Sequence, residues 1–510
     1  MSSGHIISQE RINIMTKDEL KAKHKTYEAH IKRWNFWQAA YDGGEDFIDE
    51  VIYQHPRESG VNWQQRKDDA CVFNYATSII DLFNFYLTEK SAIRNLGKLA
   101  NDTLWQMFYK DCDLYNTNFD IRMNELQKLS SIYGMVGILV DKARGDTNTV
   151  QEAKELGIYP YLATYTPPNI LDWTIERDPV TNRPILTYLK LMENDETYKL
   201  WYPTHWEHWK IPKNEDGSED EPRKIDERDH ELDEIPFLWM LNVKSSKDPY
   251  FGVSDIKEIA RITASIARNI SYGEEVIKFA GFPIFRVPME MEGGPSNPNT
   301  VGVRAVQEFD PENPEAKPDW LESKVNEPVT AILTWIDKKV DEIFQTAHLS
   351  GIHATEKSRE ARSGVALRYE FQQLGSVLCK KNENLSEAEL GVLRLWLKWQ
   401  KQESWFPSIE VRRSKEFSLD DLSQSLDNLR KASKEVYSKH FKKLAQQKMV
   451  QDALPDIGDN DFEKVIQEID TEVNRMPLDF GLRQANPQRD VDSLDFDSEL
   501  NANRQNTGNE

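Results

Sequence analysis

The amino-acid sequence predicts an α+β chain that is mainly α-helical, and three features indicate this class. Segments 253–279, 322–347 and 363–404 repeat apolar residues at steps of three and four, which places those residues on one face of a helix. The segment 158–243 is instead rich in β-branched and aromatic residues between turn signals, which is typical of an antiparallel sheet. Long helices and one β-rich region are therefore expected together.

The first part of the chain predicts several helices followed by a buried strand. Thr16 and Glu19 have the spacing of a capping box, which favours a helix that starts at residue 16. The run GMVGILVD combines glycines with β-branched residues and predicts a buried strand. The helices expected before this strand cover residues 16–41, 74–90, 101–115 and 118–133.

Composition restricts the class of protein. The chain has 510 residues, too many for one ordinary core, and a net charge of −22. That charge argues against tight binding of DNA phosphates, but not against a surface past which DNA slides. Three cysteines far apart suit a reducing compartment, and the N-terminus lacks a signal-peptide pattern. No apolar run reaches the ~18 residues of a membrane span, so we expect a soluble intracellular chain.

Motifs for catalysis or nucleotide binding are absent from the sequence. It contains neither of the common glycine-rich phosphate loops nor the G-x-S-x-G pattern of a serine nucleophile. His205 and His208 lie three residues apart, but two separate histidines are a better interpretation than a metal site. Trp201, Trp206 and Trp209 are expected to pack in a sheet rather than to stack on bases. We expect no enzyme activity, no metal and no cofactor.

A polar stretch interrupts two of the helix patterns. Residues 350–362 contain several cationic side chains, which is unusual for an acidic chain. Composition alone leaves two interpretations equally open: a solvated connector between helices, or a loop that contacts a partner. The side chains of interest are His353, Lys357, Arg359 and Arg362.

The order of these parts resembles that of the portal proteins of tailed bacteriophages. KLSSIYGMVGILVD resembles the helix and strand of the portal wing, and PYFGVSDIKEIARI resembles the G-x-S-D start of the first stem helix. The insert at 280–321 lies where the portal clip lies, and SGVALRYEF resembles the start of the long helix after the tunnel loop. The likeness extends over roughly residues 1–450, whereas the last 60 residues match no segment that we can name.

The resemblance implies a portal fold with a wing, two stem helices, a small α/β clip, a tunnel loop and a helical crown. Residues 486–510, an acidic tail, are expected to be disordered. The implied parts are the wing at 1–252, the first stem helix at 253–279, the clip at 280–321, the second stem helix at 322–347, the tunnel loop at 348–362, the long wing helix and strand at 363–417, and the crown at 418–485.

The same resemblance implies a homo-oligomeric ring, a dodecamer in this family, at one capsid vertex of the virion. Such a ring conducts double-stranded DNA during packaging and ejection, docks the large subunit of the terminase motor, and later binds head–tail adaptor proteins. Capsid and scaffolding proteins are further partners, and the host cytoplasm is the location during assembly. Two alternatives remain open: a helical intracellular adaptor or scaffold, and a nucleic-acid-processing enzyme.

Three sets of candidate residues follow from the resemblance. A few cations per subunit would touch DNA phosphates transiently, so the candidate channel contacts are His353, Lys357, Arg359 and Arg362. The candidate clip contacts to the terminase or adaptor are Arg286, Glu290, Glu292, Arg304 and Glu308. The candidate stem-packing residues, expected to be buried within a subunit and between neighbours, are Ile259, Ile262, Ile266, Ile332, Ile336 and Val340.

Overall fold

A computed structural model describes most of the chain between residues 15 and 475. The chain divides into two compact units, Met1–Leu419 and Asp420–Glu510. The described residues are 15–142, 152, 155–214, 217–246, 248, 250–281, 284–288, 306–309, 319–321, 326–349, 364–415, 417, 431, 439–454 and 459–475.

Helices dominate the N-terminal part of the first unit. The expected capping box is present: Thr16 N donates to Glu19 Oε2 at 2.8 Å, and Glu19 N donates to Thr16 Oγ1 at 3.3 Å. The expected single helix at 16–41 is two helices, because the backbone turns extended at Ala22. The helices are α1 (Lys17–Lys21), α2 (Lys25–Asp42), α3 (Gly44–Val51), α4 (Gly60–Asp68), α5 (Tyr75–Thr88), α6 (Thr103–Lys110) and α7 (Phe119–Tyr133).

Two antiparallel sheets occupy the β-rich region. One has the order β3-β2-β9, with the buried strand predicted from GMVGILVD at its centre, and the other has the order β4-β5-β6-β7-β8. The strands are β1 (Ile93–Asn95), β2 (Met135–Lys142), β3 (Pro160–Tyr165), β4 (Ile170–Arg177), β5 (Pro184–Asn194), β6 (Thr197–Trp201), β7 (His205–Lys210), β8 (Arg223–Asp229) and β9 (Phe237–Leu241).

Three long helices and four short strands complete the described part of the first unit. The chain begins the first of these helices at Ile259 rather than at residue 253, because residues 255–258 form turns. The helices are α8 (Ile259–Gly281), α9 (Asn326–Thr346) and α10 (Gly364–Trp399). The strands are β10 (Ile284–Pro288), β11 (Val306–Phe309), β12 (Asp319–Leu321) and β13 (Glu410–Arg412).

The long helix α10 joins two hydrophobic clusters of the first unit. Leu374 and Leu378 lie in the first cluster, with core residues of α2, α5 and the five-stranded sheet. Trp396 lies in the second cluster, where its ring centroid is 5.6 Å from that of Trp105. Strand β13 pairs with β1, which brings the chain after α10 back to the N-terminal helices. The first unit is therefore closed by residues far apart in sequence.

The second unit contributes two described helices. These are α11 (Lys439–Ala453) and α12 (Asp459–Arg475). Lys443 Nζ lies 2.5 Å from a carboxylate oxygen of Asp470, so an ion pair joins the two helices. The expected tail at 486–510 lies outside the described residues.

Two glycines bring the end of α7 into backbone contact with the segment before α8. Gly134 ends α7 in the left-handed region, with a φ of 86°. A Cβ built on Gly252 would lie only 1.7 Å from the carbonyl oxygen of Gly134. Only a residue without a side chain fits at such a crossing. Gly252 therefore allows the chain to enter α8 beside the ends of β2 and β9.

We expect Gly252→Ala to lower the free energy of unfolding by about 3 kcal/mol or more, because the new methyl group collides with backbone that has no room to shift. Urea unfolding followed by circular dichroism at fixed protein concentration measures the loss. Gly60→Ala is the matched control, because a Cβ there meets open space. Equal effects of the two substitutions would contradict the close crossing.

Candidate functional site

Helices α8 and α9 form an antiparallel two-helix arm. Lys339 Nζ donates to Ser265 Oγ at 2.7 Å, and a Cβ built on Gly273 would lie 3.6 Å from Ile332 Cγ2. Residue numbers therefore rise along α8 as they fall along α9. The arm leaves the core only beyond the first half of α8, since Ile256, Ile259 and Ile266 are fully buried.

A small sheet lies at the far end of the arm. Strand β10 starts three residues after the end of α8, and α9 starts five residues after the end of β12. The order is β11-β10-β12, with β10 parallel to β11 and antiparallel to β12. This sheet is the insert predicted between the two long helices.

The candidate stem-packing residues differ in their burial. Ile259 and Ile266 are fully buried in the first hydrophobic cluster. Ile262, Ile336 and Val340 are half-buried and contact that cluster. Ile332 is also half-buried and lies beside α8. The predicted apolar stripe of each helix therefore faces the seam between α8 and α9 or the core.

The outer faces of the arm expose large apolar side chains. Leu333 is 57% exposed, Trp335 56% and Ile277 56%. No residue of α9 between Glu327 and Lys338 is fully buried. Trp335 borders an open groove of about 870 Å³, which Ile332 and Lys338 also line. The surface of the arm therefore includes several large apolar side chains.

Cations surround the exposed tryptophan. Lys338 Nζ lies 5.8 Å and Lys339 Nζ 5.7 Å from the centroid of the Trp335 ring, within the range of cation–π attraction. Burial lowers the pKa of Lys339, and the nearby Arg268 guanidinium lowers it further. Two cations therefore lie beside the exposed apolar ring, on a helix that also carries Glu327, Asp337, Asp341 and Glu342.

A buried arginine braces the arm against the N-terminal helices. Arg66 of α4 donates from Nη1 to Ser271 Oγ of α8 at 3.2 Å. Its Nε and Nη2 donate to the two carboxylate oxygens of Glu58 at 2.8 and 2.7 Å. These hydrogen bonds lower the pKa of Glu58 from its usual 4.5 to about 2. Farther along α8, Lys278 pairs with Asp69 at 2.6 Å.

The other sequence-predicted residues are only partly described. The channel candidates His353, Lys357, Arg359 and Arg362 lie outside the described residues, as do the clip candidates Glu290, Glu292 and Arg304. At the level of the backbone, Arg286 lies in β10 and Glu308 in the adjacent β11.

The remaining polar and aromatic candidates have structural roles. His208 Nε2 lies 3.1 Å from Glu193 Oε2, and His205 stacks on Tyr202. Over the described ranges, no group of three or more potential ligand side chains is placed to hold a metal ion. Trp201, Trp206 and Trp209 are buried in the sheet region, which confirms the expectation of core packing. No described helix is long and apolar enough to cross a membrane.

Sequence reasoning missed the outward-facing residues of α9. Leu333 and Trp335 do not belong to the stripe formed by Ile332, Ile336 and Val340, and both are exposed. Large apolar residues outside the buried stripe of a helix are the signal that would have identified them. The brace formed by Arg66 and Glu58 has no comparable signal, because it depends on a contact with a residue about 200 positions later.

We expect the Arg66–Glu58 pair to stabilise the folded protein at neutral pH. Because the pKa of Glu58 is lower in the folded chain than in the unfolded chain, this stabilisation should be lost as the pH falls from about 5 towards 2. Glu58→Gln should lower the free energy of unfolding by about 2 kcal/mol at pH 7 and converge with the wild type near pH 2. Thermal unfolding across this pH range tests the prediction. Glu231→Gln, which breaks an exposed pair with Lys401, is the control. A difference in thermal stability between the wild type and Glu58→Gln that stays constant down to pH 2 would contradict the prediction.

Comparison with known proteins gives distant structural similarity only. No protein-family model matches the sequence, and no curated protein matches it. The fold is similar to a chain in the solved structure described as the virion of a native gene transfer agent particle, at 10% identity and a TM-score of 0.38, over 73% of this chain and 89% of that one. It is also similar to a chain in the neck of an empty particle of this kind, at 10% identity and a TM-score of 0.38, over 69% and 84% of the two chains.

Proposed function

We propose that the chain is the subunit of a portal ring at one capsid vertex, through which double-stranded DNA passes during packaging and ejection. The arm is the observation that carries this proposal. Its two antiparallel helices hold a three-stranded sheet at their far end, as the stem of a portal holds its clip. In this assignment the sheet docks the terminase large subunit and later the head–tail adaptor. Capsid and scaffolding proteins contact the rest of the ring.

The exposed faces of the arm support an assembly in which each arm has neighbours. The contact between α8 and α9 covers only the facing sides of the two helices, so Leu333, Trp335 and Ile277 are exposed to water. Burying a large apolar side chain contributes about 1.5–3 kcal/mol, so a surface of this kind favours association. In a closed ring every subunit offers one face to each neighbour, and the two contacting faces differ. Arms arranged in this way cover both outer faces at once.

Charge also supports a conduit rather than a tight DNA-binding protein. Each lasting contact with a phosphate would have to be broken before DNA moved on. A net charge of −22 per chain repels the DNA backbone, and a few cations per subunit supply transient contacts. The cations assigned to this role are those of the loop at 348–362.

We expect the full-length chain to sediment as a particle many times heavier than its 59.3 kDa subunit. Trp335→Glu and Leu333→Lys should each weaken assembly by ~30-fold or more, because each places a charge in a contact that excludes water. Analytical ultracentrifugation over a range of protein and salt concentrations measures the effect. Negative-stain images distinguish a ring from an irregular aggregate.

Val180→Glu is the matched control for these substitutions. Val180 is 89% exposed, but it lies in the turn between β4 and β5 and not on the arm. The control should assemble like the wild type, and circular dichroism should show all variants folded. A wild-type chain that stays monomeric at micromolar concentration in several salts would overturn the ring and favour a helical adaptor.

A second prediction concerns the proposed channel contacts. Replacement of Lys357, Arg359 and Arg362 by Ala should leave ring assembly intact and reduce DNA packaging or genome retention, because the transient phosphate contacts are lost. The yield of filled particles, compared with the yield of rings, measures the two effects separately. Normal yields of filled particles would contradict the assignment of this loop to the channel.

A further inference from the structure

The middle of α10 contains a fully buried ammonium group. The side chain of Lys381 has no exposed surface. Its Nζ donates to Asp255 Oδ2 at 2.5 Å, to Ser131 Oγ at 3.3 Å and to the side-chain oxygen of Asn242. An ammonium group has three N–H bonds, and here each has an acceptor. The three acceptors come from the segment before α8, the end of α7 and the end of β9.

The asparagine of this group orients the carboxylate. Asn242 Nδ2 donates to Asp255 Oδ1 at 2.8 Å and to Val253 O at 3.0 Å. Asn242 N donates to Gly134 O at 2.9 Å, and its own carbonyl accepts a hydrogen bond from Asn384 Nδ2 of α10 at 2.6 Å. Asn242 therefore contacts both the crossing before α8 and the long helix.

Backbone contacts hold the same segment against α7. Ser254 Oγ donates to Ile132 O at 2.6 Å and accepts a hydrogen bond from Ile256 N at 3.2 Å. Asp255 N donates to Ser131 O at 3.0 Å. The carboxylate that receives the Lys381 ammonium is consequently fixed in both position and direction.

We propose that Lys381 is a positioning residue that clamps the base of the arm to the middle of α10, so that the arm and the long helix move as one body. We name Lys381, Asp255, Asn242 and Ser131 the clamp. If α8 moved away from α10, the Lys381 ammonium would lose its carboxylate and remain buried without water. Partial separation of the two helices is therefore strongly disfavoured. Van der Waals contacts alone would allow α8 to tilt against α10 by small steps. The inference does not depend on ring assembly, because all four residues belong to one chain.

The clamp predicts a local change in hydrogen exchange. Lys381→Met should speed the exchange of backbone amides at 256–264 and 378–384 by at least ~10-fold, while amides of the five-stranded sheet change by less than about two-fold. Asp255→Asn should have the larger effect, because it leaves a fully buried ammonium without a counter-charge, whereas the Asp255 side chain is 11% exposed. The double variant should exchange more slowly than Asp255→Asn alone.

Lys415→Met is the matched control, because Lys415 pairs with Glu383 of the same helix α10 but is itself outside it. It breaks the Lys415–Glu383 pair, which has a similar distance of 2.7 Å but is more than half exposed. Its exchange should stay within about two-fold of the wild type. If Asp255→Asn does not fold, the single Lys381→Met and double variants still decide the question.

Three results would overturn the clamp. Exchange that rises equally over the whole chain would make Lys381 a general stabilising residue. A change confined to α10 would show that the arm is not held by it. An effect of Lys381→Met no larger than that of Lys415→Met would show that the buried pair adds nothing. If the chain forms no ring but the variants change hydrogen exchange as expected, the proposed function would be refuted and the clamp would still be supported.

Discussion

The close crossing of Gly134 and Gly252 is the constraint on which the rest of the first unit depends. It places the chain that follows β9 directly against the end of α7, where backbone groups of both segments bond to one another. From this point α8 has one possible direction, and its first turns are buried. The position of α9, which pairs with α8, and of the small sheet beyond both helices follows from that direction.

Contacts with the N-terminal helices hold the arm along α8 as far as the Lys278–Asp69 pair, whereas the outer part of α9 is less covered. Near the core it is braced by the Arg66–Glu58 pair and by the buried charges around Lys381. Beyond these contacts the described residues of α9 are covered only along the seam with α8, and Trp335 is open to water between two lysines. A firm base with an uncovered outer part is the arrangement expected of an element completed by neighbouring molecules. In the proposed ring, rigidity at the base would set where neighbouring arms meet.

Local patterns in the sequence predicted the helices and strands well where each depends on its own residues. The capping box of Thr16 and Glu19 and the strand at GMVGILVD are examples. The break after Lys21 and the helices α3 and α4 were not predicted. The glycines near residue 43 indicate the end of a helix, and the formation of these short helices depends on tertiary contacts. The Lys381 clamp was beyond any local pattern, since its partners lie more than 120 residues away. The proposed channel residues stay predictions.

The meeting of Trp105 with Trp396 has a consequence for synthesis on the ribosome. About 290 residues separate the two side chains in the sequence. At ~5–20 residues per second, the helices around Trp105 wait about 15 to 60 s before α10 emerges to complete their core. During this time the apolar faces of α6 and α7 have only part of their final cover. The nascent chain is therefore exposed to aggregation through this cluster until α10 has emerged.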